Sequence, residues 1–270
     1  MKTRPRRGSH GDSRPRTSSR AKLGSINTPA RNAPSSLRGK VALITGGNQG
    51  IGLAVARALA AEGCSLVITG RNQSTLNKAR RELERRASVL SVNCDVRSAT
   101  EVSGLVEKVK THFRRLDFLI NNAGISHAAA TVDRLGAEGW QSVISTNLTG
   151  MFLVTRAALP LLRRGGAIVN NLSIAAKKVF AGQGAYCASK HGALALTNTL
   201  REELRSKGIR VIALLPGATN TAIWNQFWPY APRSKMMGPR TVAEAVVDAL
   251  ALPGDSTVEE LTILPSAGTL

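Results

Sequence analysis

Cysteine, histidine and aromatic residues are scarce in this chain of 270 residues. Its three cysteines, Cys64, Cys94 and Cys187, form no CxxC pair, which argues against a zinc module or a disulfide scaffold and favours a reducing compartment. Four scattered histidines argue against a histidine metal site. No apolar run approaches the ~18 residues that span a bilayer, and no apolar N-terminal stretch resembles a secretory signal. We therefore expect a cytoplasmic protein with no metal and no membrane partner.

Acidic residues are also few, since 37 Lys and Arg face 17 Asp and Glu and leave a net charge of +20. Residues 1–37 carry nine of the basic side chains and one acid, and they are rich in Arg, Ser, Pro and Gly. Such a stretch buries too little surface to fold, so we expect a disordered basic tail over 1–37. An organelle transit peptide and an arm that touches polyanions remain alternatives.

From residue 38 onward, short apolar runs alternate with amphipathic segments, which indicates one folded domain over 38–270. The predicted strands are Val41–Thr45, Ser65–Thr69, Val89–Asn93, Asp117–Asn121, Ala167–Leu172, Val211–Leu215 and Leu261–Leu264. Alternation of this kind predicts a parallel sheet with helices on both faces, in the α/β class. No block of this basic body resembles a nucleic-acid motif, so a nucleic-acid partner is not expected.

A glycine-rich turn follows the first strand directly. Three glycines at this spacing allow a tight turn, close approach of the backbone to a pyrophosphate, and close packing of helix on strand. The helix that follows offers free N–H groups to the phosphates. The candidate phosphate-binding residues are Gly46, Asn48, Gln49, Gly50, Ile51 and Gly52. The pattern predicts a single doubly wound (Rossmann-type) sheet that binds a dinucleotide.

The second strand ends in Gly70-Arg71-Asn72, without the acid that dinucleotide folds use to bind the adenosine ribose. Arg71 would instead offer a planar fork of donors to a 2′-phosphate, which favours NADP(H) over NAD(H). A surface role for Arg71 is the alternative. Position 49 is Gln rather than a second basic residue, so the preference need not be strict.

Several motifs in order resemble the short-chain dehydrogenase/reductase family over roughly 40–270. The glycine turn resembles TGxxxGxG, and Asn121-Asn122-Ala123-Gly124 resembles NNAG after the fourth strand. Ser173 precedes Tyr186 at the family's spacing, and Tyr186 to Lys190 resembles YxASK. The other matching positions are Asn147 in a helix, Pro216-Gly217 after the sixth strand, and Thr221 shortly beyond it.

The reacting groups can be argued from their chemistry. Tyr186 and Lys190 are four apart in a helical segment and so share a face. A phenol has a pKa near ~10, and a nearby ammonium should lower it, so we expect Lys190 to tune Tyr186 as the acid/base. Ser173 can hydrogen-bond the substrate oxygen and stabilise developing charge. A chance helical pair is the alternative for Tyr186 and Lys190 alone.

The resemblance implies further roles. Lys190 would also bind the nicotinamide ribose, and Asn147 would hold a water in a proton relay that ends at Lys190. The remaining cofactor positions that the resemblance implies are Asp95 and Val96 at the adenine, and Asn122, Ala123, Gly124, Pro216, Gly217 and Thr221 along the cofactor. A homodimer or homotetramer is expected through the helices that carry Asn147 and Tyr186.

Four of the ten aromatic residues fall within 224–230, where the family has its variable substrate lid. Trp224, Phe227 and Trp228 lie at i, i+3 and i+4, so they would share one helix face. We expect a lid that closes over an apolar carbonyl substrate, with an oligomer interface as the alternative. Arg233 and Lys235 could meet an anionic substrate.

Together these features predict an NADP(H)-dependent oxidoreductase that interconverts a small-molecule carbonyl and an alcohol by hydride transfer. A protein of the same fold that binds NADP(H) as a sensor or scaffold, without turnover, is one alternative. A polyanion-binding protein led by the tail is another.

Overall fold

The computed structural model describes residues 36–268 of the chain. The predicted tail therefore lies almost wholly outside the described residues. Leu37 is described, and it is 2% exposed in a hydrophobic core that also contains Leu59 and Leu66. The folded part of the chain thus includes Leu37, which the sequence placed in the tail.

Seven parallel strands form one sheet in the order β3-β2-β1-β4-β5-β6-β7. The strands are β1 (Val41–Thr45), β2 (Ser65–Gly70), β3 (Val89–Asn93), β4 (Leu116–Asn121), β5 (Leu162–Asn171), β6 (Arg210–Pro216) and β7 (Glu260–Ile263). Each predicted strand is present, with ends that differ by up to five residues. The predicted single doubly wound α/β fold is confirmed.

Helices cover both faces of this sheet. They are α1 (Gly50–Ala61), α2 (Gln73–Leu83), α3 (Ala99–Phe113), α4 (Ala137–Ile144), α5 (Gly150–Ala158), α6 (Gly184–Arg205), α7 (Trp224–Phe227) and α8 (Pro239–Ala251). Buried side chains of α1, α2 and α8 form one core on one face. Those of α3, α5 and the end of α6 form a second core on the other face. Among the described residues, no helix is both long and apolar enough to span a membrane.

The strand order places the site. From β1 the chain moves outward through β2 to β3, and then returns to the other side of β1 as β4. Crossovers therefore leave the carboxyl ends of β1 and β4 in opposite directions and open a crevice there, which is where open α/β sheets bind ligands.

Candidate active site

A cleft of about 640 Å³ opens at the carboxyl ends of the central strands. It gathers segments that lie far apart in the sequence. The predicted site residues that line it are Gly46, Asn48, Gln49, Gly50, Ile51, Asn122, Ala123, Gly124, Ser173, Tyr186, Lys190, Pro216, Gly217, Thr221, Trp224, Phe227 and Trp228. The cleft therefore brings the glycine turn, the reacting groups and the aromatic segment together.

The glycine turn is shaped to receive an anion. A Cβ at Gly52 would clash with Asn122 Nδ2 and with the carbonyl oxygen of Gly46, so only glycine lets α1 pack this closely on the turn. Gln49 precedes α1 without a capping side-chain hydrogen bond, and no acid lies in the first turn. The N–H groups and partial positive charge of this helix end fit a dinucleotide phosphate.

Asn122, at the end of β4, braces the turn. Its Nδ2 donates to the carbonyl oxygens of Thr45 at 2.9 Å and Gly46 at 3.1 Å. Its Oδ1 accepts from Asn171 Nδ2 at 2.8 Å, which links the ends of β1, β4 and β5. Asn122 thus holds the floor of the cleft as well as lining it.

Tyr186 and Lys190 lie one turn apart on α6 and face the cleft, as their spacing predicts. Lys190 Nζ lies 5.6 Å from the centroid of the Tyr186 ring and donates to the carbonyl oxygen of Asn171 at 3.0 Å. Ser173 follows β5, where its Oγ accepts from the N–H of Ala175 at 3.1 Å. Its hydroxyl also interacts with the Tyr186 hydroxyl.

The pKa values differ from the sequence expectation. Burial raises the pKa of the Tyr186 phenol above its usual value, although the hydrogen bond from Ser173 opposes the rise. Burial lowers the pKa of the Lys190 ammonium to about 8. Burial thus opposes the lowering of the phenol pKa that was expected from Lys190, and the tuning of Tyr186 by Lys190 with a cofactor bound stays a prediction. Tyr186 is held as a protonated donor at neutral pH.

Asn147 lies in a single π-helical turn, Ser145–Thr149, between α4 and α5. Such a turn displaces the helix locally and is common at functional sites. The Asn147 amide accepts from the N–H of Ile125 at 2.8 Å and donates to Ile125 O at 2.9 Å and Ser189 Oγ at 3.0 Å. It therefore ties the segment after β4 to α6, behind the reacting groups.

The sequence matches the short chain dehydrogenase family model over residues 40–230. The chain belongs to the short-chain dehydrogenase family. An uncharacterized oxidoreductase of Staphylococcus haemolyticus is 34% identical over 236 residues, which cover 85% of this chain and 98% of that relative. The protein is therefore an oxidoreductase of this family.

Solved structures of similar proteins contain nicotinamide cofactors. An alcohol dehydrogenase from the archaeon Thermococcus sibiricus, complexed with 5-hydroxy-NADP, has a TM-score of 0.79 and 33% identity over 84% of this chain and 97% of its own. A 3-ketoacyl-(acyl-carrier-protein) reductase from Brucella melitensis, complexed with NADH, has a TM-score of 0.78 and 29% identity over 86% of this chain and 99% of its own. Similar short-chain dehydrogenases thus hold either form of the cofactor.

The lid of this short-chain dehydrogenase differs from its sequence prediction. The helix α7 is a single turn that ends at Phe227, so Trp228 lies outside it and is 44% exposed. Trp224 Nε1 donates to the carbonyl oxygen of Thr219 at 2.9 Å. Trp224 thus fixes this segment to the one after β6, and its ring still lies beside those of Phe227 and Trp228, at centroid distances of 4.9 and 6.4 Å.

Arg233 also stabilises the lid segment. Its guanidinium donates to the carbonyl oxygen of Thr221 and to Asn225 Oδ1, both at 2.8 Å. These bonds hold Arg233 within the lid segment, and its contact with an anionic substrate stays a prediction. Lys235 is exposed and makes no side-chain hydrogen bond or ion pair within residues 36–268.

Several predicted residues lie outside the cleft lining. Gly52, Val96 and Asn147 pack behind it, and Arg71 is exposed at the end of β2. Asp95 is engaged by the guanidinium of Arg97, whose Nε lies 2.9 Å from Asp95 Oδ2, and this contact lowers the pKa of the Asp95 carboxyl. The Asp95 carboxylate is thus already paired in this structure, and its contact with an adenine stays a prediction.

Sequence reasoning missed a buried polar pair on the substrate side. Ser126 Oγ donates to Gln183 Oε1 at 2.9 Å, and both residues line the cleft. The cleft residues that no motif indicated are Ser126, Ala129, Asn171, Leu172, Ile174, Ala175, Val179, Phe180, Ala181, Gln183, Ala218, Thr219, Ala222 and Ile223. Most of these residues are close in sequence to Ser173, Tyr186 or Thr221. That proximity was the signal from which their place in the cleft could have been predicted.

Proposed function

We propose that this short-chain dehydrogenase reduces a small-molecule ketone or aldehyde with NADP(H), and runs the reverse alcohol oxidation under suitable conditions. The observation that carries the proposal is the placement of Tyr186, Ser173 and Lys190 at one wall of a cleft whose other parts are the glycine turn and an aromatic lid. A bound nicotinamide cofactor supplies or accepts the hydride.

The chain's own residues would do the rest of the chemistry. Ser173 donates a hydrogen bond to the carbonyl oxygen of the substrate and steadies its developing charge. Tyr186, kept protonated by burial, gives its hydroxyl proton to that oxygen as hydride arrives at the carbon. Lys190 provides a nearby ammonium that favours the phenolate left behind. Asn147 holds α6 and the segment after β4 in place for this exchange.

We further propose that Arg71 contacts the 2′-phosphate of NADP(H). We also propose that the chain forms a homo-oligomer, either a dimer or a tetramer. The Arg71 side chain is exposed and makes no side-chain hydrogen bond or ion pair within residues 36–268. Trp140 on α4 and Phe152 on α5 are exposed aromatic residues on the two helices that flank the turn of Asn147. Their exposure supports an interface there, which sizing chromatography would test.

The test is steady-state turnover of a panel of ketones and alcohols with NADPH and NADH. Tyr186→Phe should lose at least about 10²-fold in kcat, the scale of general acid catalysis, and retain NADPH binding. The matched control is Tyr230→Phe, which changes the chain's other tyrosine on the exposed end of the lid and should leave kcat unchanged. A wild type that binds NADPH but turns over no carbonyl would instead support a sensor or scaffold.

A further inference from the structure

Six loops lead from the end of a helix, or from the chain's described start, into strands β1 to β6. They meet at the edge of the sheet that lies opposite the cleft, because the strands are parallel. These segments are 36–40, 62–64, 84–88, 114–115, 206–209 and 159–166, the last of which includes the first five residues of β5, 162–166. Together they carry nine basic side chains and two acids, including the Arg-Arg pairs at 85–86, 114–115 and 163–164.

Hydrogen bonds show that neighbouring loops touch. The N–H of Gly39 donates to the carbonyl oxygen of Gly63 at 2.9 Å, and the Arg115 guanidinium donates to Gly39 O at 2.6 Å. At the other end, the N–H of Gly165 donates to Gly208 O at 2.8 Å. These bonds join the loops before β1, β2 and β4, and those before β5 and β6. The sheet order places all six in one row, which spans five strand spacings, or roughly 24 Å, and which we call the strip.

Most of these cations have no counter-ion. Within residues 36–268, seven of them are exposed and make no side-chain hydrogen bond or ion pair. The seven are Arg38, Arg85, Arg86, Arg114, Arg163, Arg164 and Lys207, of which Arg85 is near enough to Glu82 for its charge to lower the pKa of that carboxyl. By contrast, arginines elsewhere on the surface, such as Arg57 and Arg240, pair with a carboxylate. Of the strip's two acids, Glu84 pairs with Arg80 on α2. Like charges on one edge of the sheet repel one another unless an anion screens them.

We propose that this strip is a binding surface for the phosphate backbone of double-stranded nucleic acid. Guanidinium groups bind phosphate oxygens through two parallel hydrogen bonds, and a row of them neutralises successive phosphates. The six loops contain no aromatic residue on which unpaired bases could stack. None of the described residues in these loops is an exposed large hydrophobic side chain that would enter a lipid surface. A duplex therefore fits this surface better than a single strand or a membrane does.

The surface lies at the opposite end of the strands from the cleft. Binding there needs no sequence readout, so affinity should depend strongly on salt and little on base sequence. It should also leave room for cofactor and substrate at the other edge. The nine basic side chains in residues 1–35 would add to the same charge-driven attraction without forming part of the proposed surface.

The experiment measures binding of a fluorescent 20-base-pair duplex to the full chain by anisotropy, over a range of salt concentrations. The edge variant changes Arg114, Arg163 and Arg164 to Gln. The matched control changes Arg134, Lys178 and Lys235 to Gln, which removes the same net charge from exposed, unpaired positions outside the strip. The edge variant should weaken binding at least about tenfold at low salt and lower the salt slope by about 2.7, which is 0.9 per lost phosphate contact.

Three outcomes would overturn the proposal. Equal losses in both variants would mean that net charge alone attracts the duplex, and unchanged binding in both would assign it to residues 1–35. Binding to phosphatidylserine vesicles that the edge variant loses, with duplex binding unchanged, would make the surface a membrane contact. A melting curve checks folding, and a second edge variant, with Arg38, Arg86 and Lys207 changed to Gln, repeats the test if the first is unstable.

Discussion

The ring of Phe227 lies 6.5 Å from the ring of Tyr186, measured between centroids. Phe227 also meets Trp224 edge to face, with ring centroids 4.9 Å apart. The proposed proton donor therefore contacts the lid through Phe227. Phe227 is thus the lid ring that lies beside the proposed proton donor.

Phe227→Ala should raise KM for bulky ketones and spare small ones, because a bulky ketone has more apolar contact to lose. The expected loss in kcat/KM is on the order of 1–3 kcal/mol, the scale of apolar pocket contacts. Steady-state kinetics on a series of ketones of increasing size measures it. Tyr230→Ala, which removes a lid ring that is 93% exposed, is the control. Equal losses for small and large ketones would place Phe227 in support of Tyr186 rather than in the substrate pocket.

Arg71→Ala should weaken NADPH binding by about 1.5–3 kcal/mol, the strength of a charge-assisted hydrogen bond, and leave NADH binding nearly unchanged. The structure also explains why no acidic residue occupies position 70, next to Arg71. A Cβ at Gly70 would lie 2.5 Å from Asn48 Oδ1, and the Asn48 amide donates to Thr75 Oγ1 at 2.7 Å. An aspartate at position 70 would displace this bridge.

The measurement for Arg71 is cofactor titration with both nucleotides. Arg81→Ala removes an exposed charge from α2 and should change neither affinity. A parallel loss for NADPH and NADH would make Arg71 a structural residue. A wild type that prefers NADH would contradict the cofactor proposal itself.

Lys190→Met should abolish turnover and yet stabilise the fold near neutral pH. Burial lowers the pKa of Lys190 from 10.5 to about 8, so the folded protein binds this proton more weakly than the unfolded chain does. The cost is fully present below pH 8 and fades as pH rises toward 10.5. Removal of the charge should raise the free energy of unfolding at pH 7 by up to about 3 kcal/mol, less whatever the lost bond to Asn171 contributes.

Melting temperature as a function of pH checks this prediction. The gap between Lys190→Met and the wild type should narrow between pH 8 and pH 10. Lys178→Met, at an exposed lysine, should follow the wild type throughout. A destabilised Lys190→Met at every pH would show that the hydrogen bond to Asn171 outweighs the burial of the charge.

A chain that begins at Ser36 should keep the melting temperature and the kcat/KM of the full chain, because every described contact of the core remains.

Leu37→Ala in the full chain should lower the free energy of unfolding by about 2–5 kcal/mol, since Leu37 is buried in the core beneath α1. Thermal unfolding of the Ser36 chain and of Leu37→Ala, each against the full chain, measures both effects. A stable Leu37→Ala would mean that the core tolerates this cavity, and a weakened Ser36 chain would give residues 1–35 a part in stability.

The strands and the pairing of Tyr186 with Lys190 could be predicted because each rests on local pattern, whereas the place of Ser173 beside them was implied by the family resemblance. Alternating apolar runs define the sheet, and a spacing of four places two side chains on one helix face. The pKa of Tyr186 could not be predicted in this way, since it depends on how much water the folded cleft excludes. The role of Arg233 likewise depends on Asn225 and Thr221 approaching it across a turn.

The basic strip could not be predicted from the sequence either, for a different reason. Its arginines are spread from Arg38 to Arg164 and form no run of like charges, so charge patterning along the chain does not single them out. Parallel strands bring the loops together because every crossover returns the chain to the same edge. The strip is thus a product of topology rather than of local composition.

Two of the chain's three tryptophans, Trp224 and Trp228, line the cleft, and the third lies on α4. Reduced nicotinamide absorbs light at the wavelengths where tryptophan emits. Cofactor that enters this cleft would therefore quench most of the intrinsic fluorescence by energy transfer. The fluorescence of the lid tryptophans would therefore report the occupancy of the cleft by reduced cofactor. The measurement requires no substrate and no label.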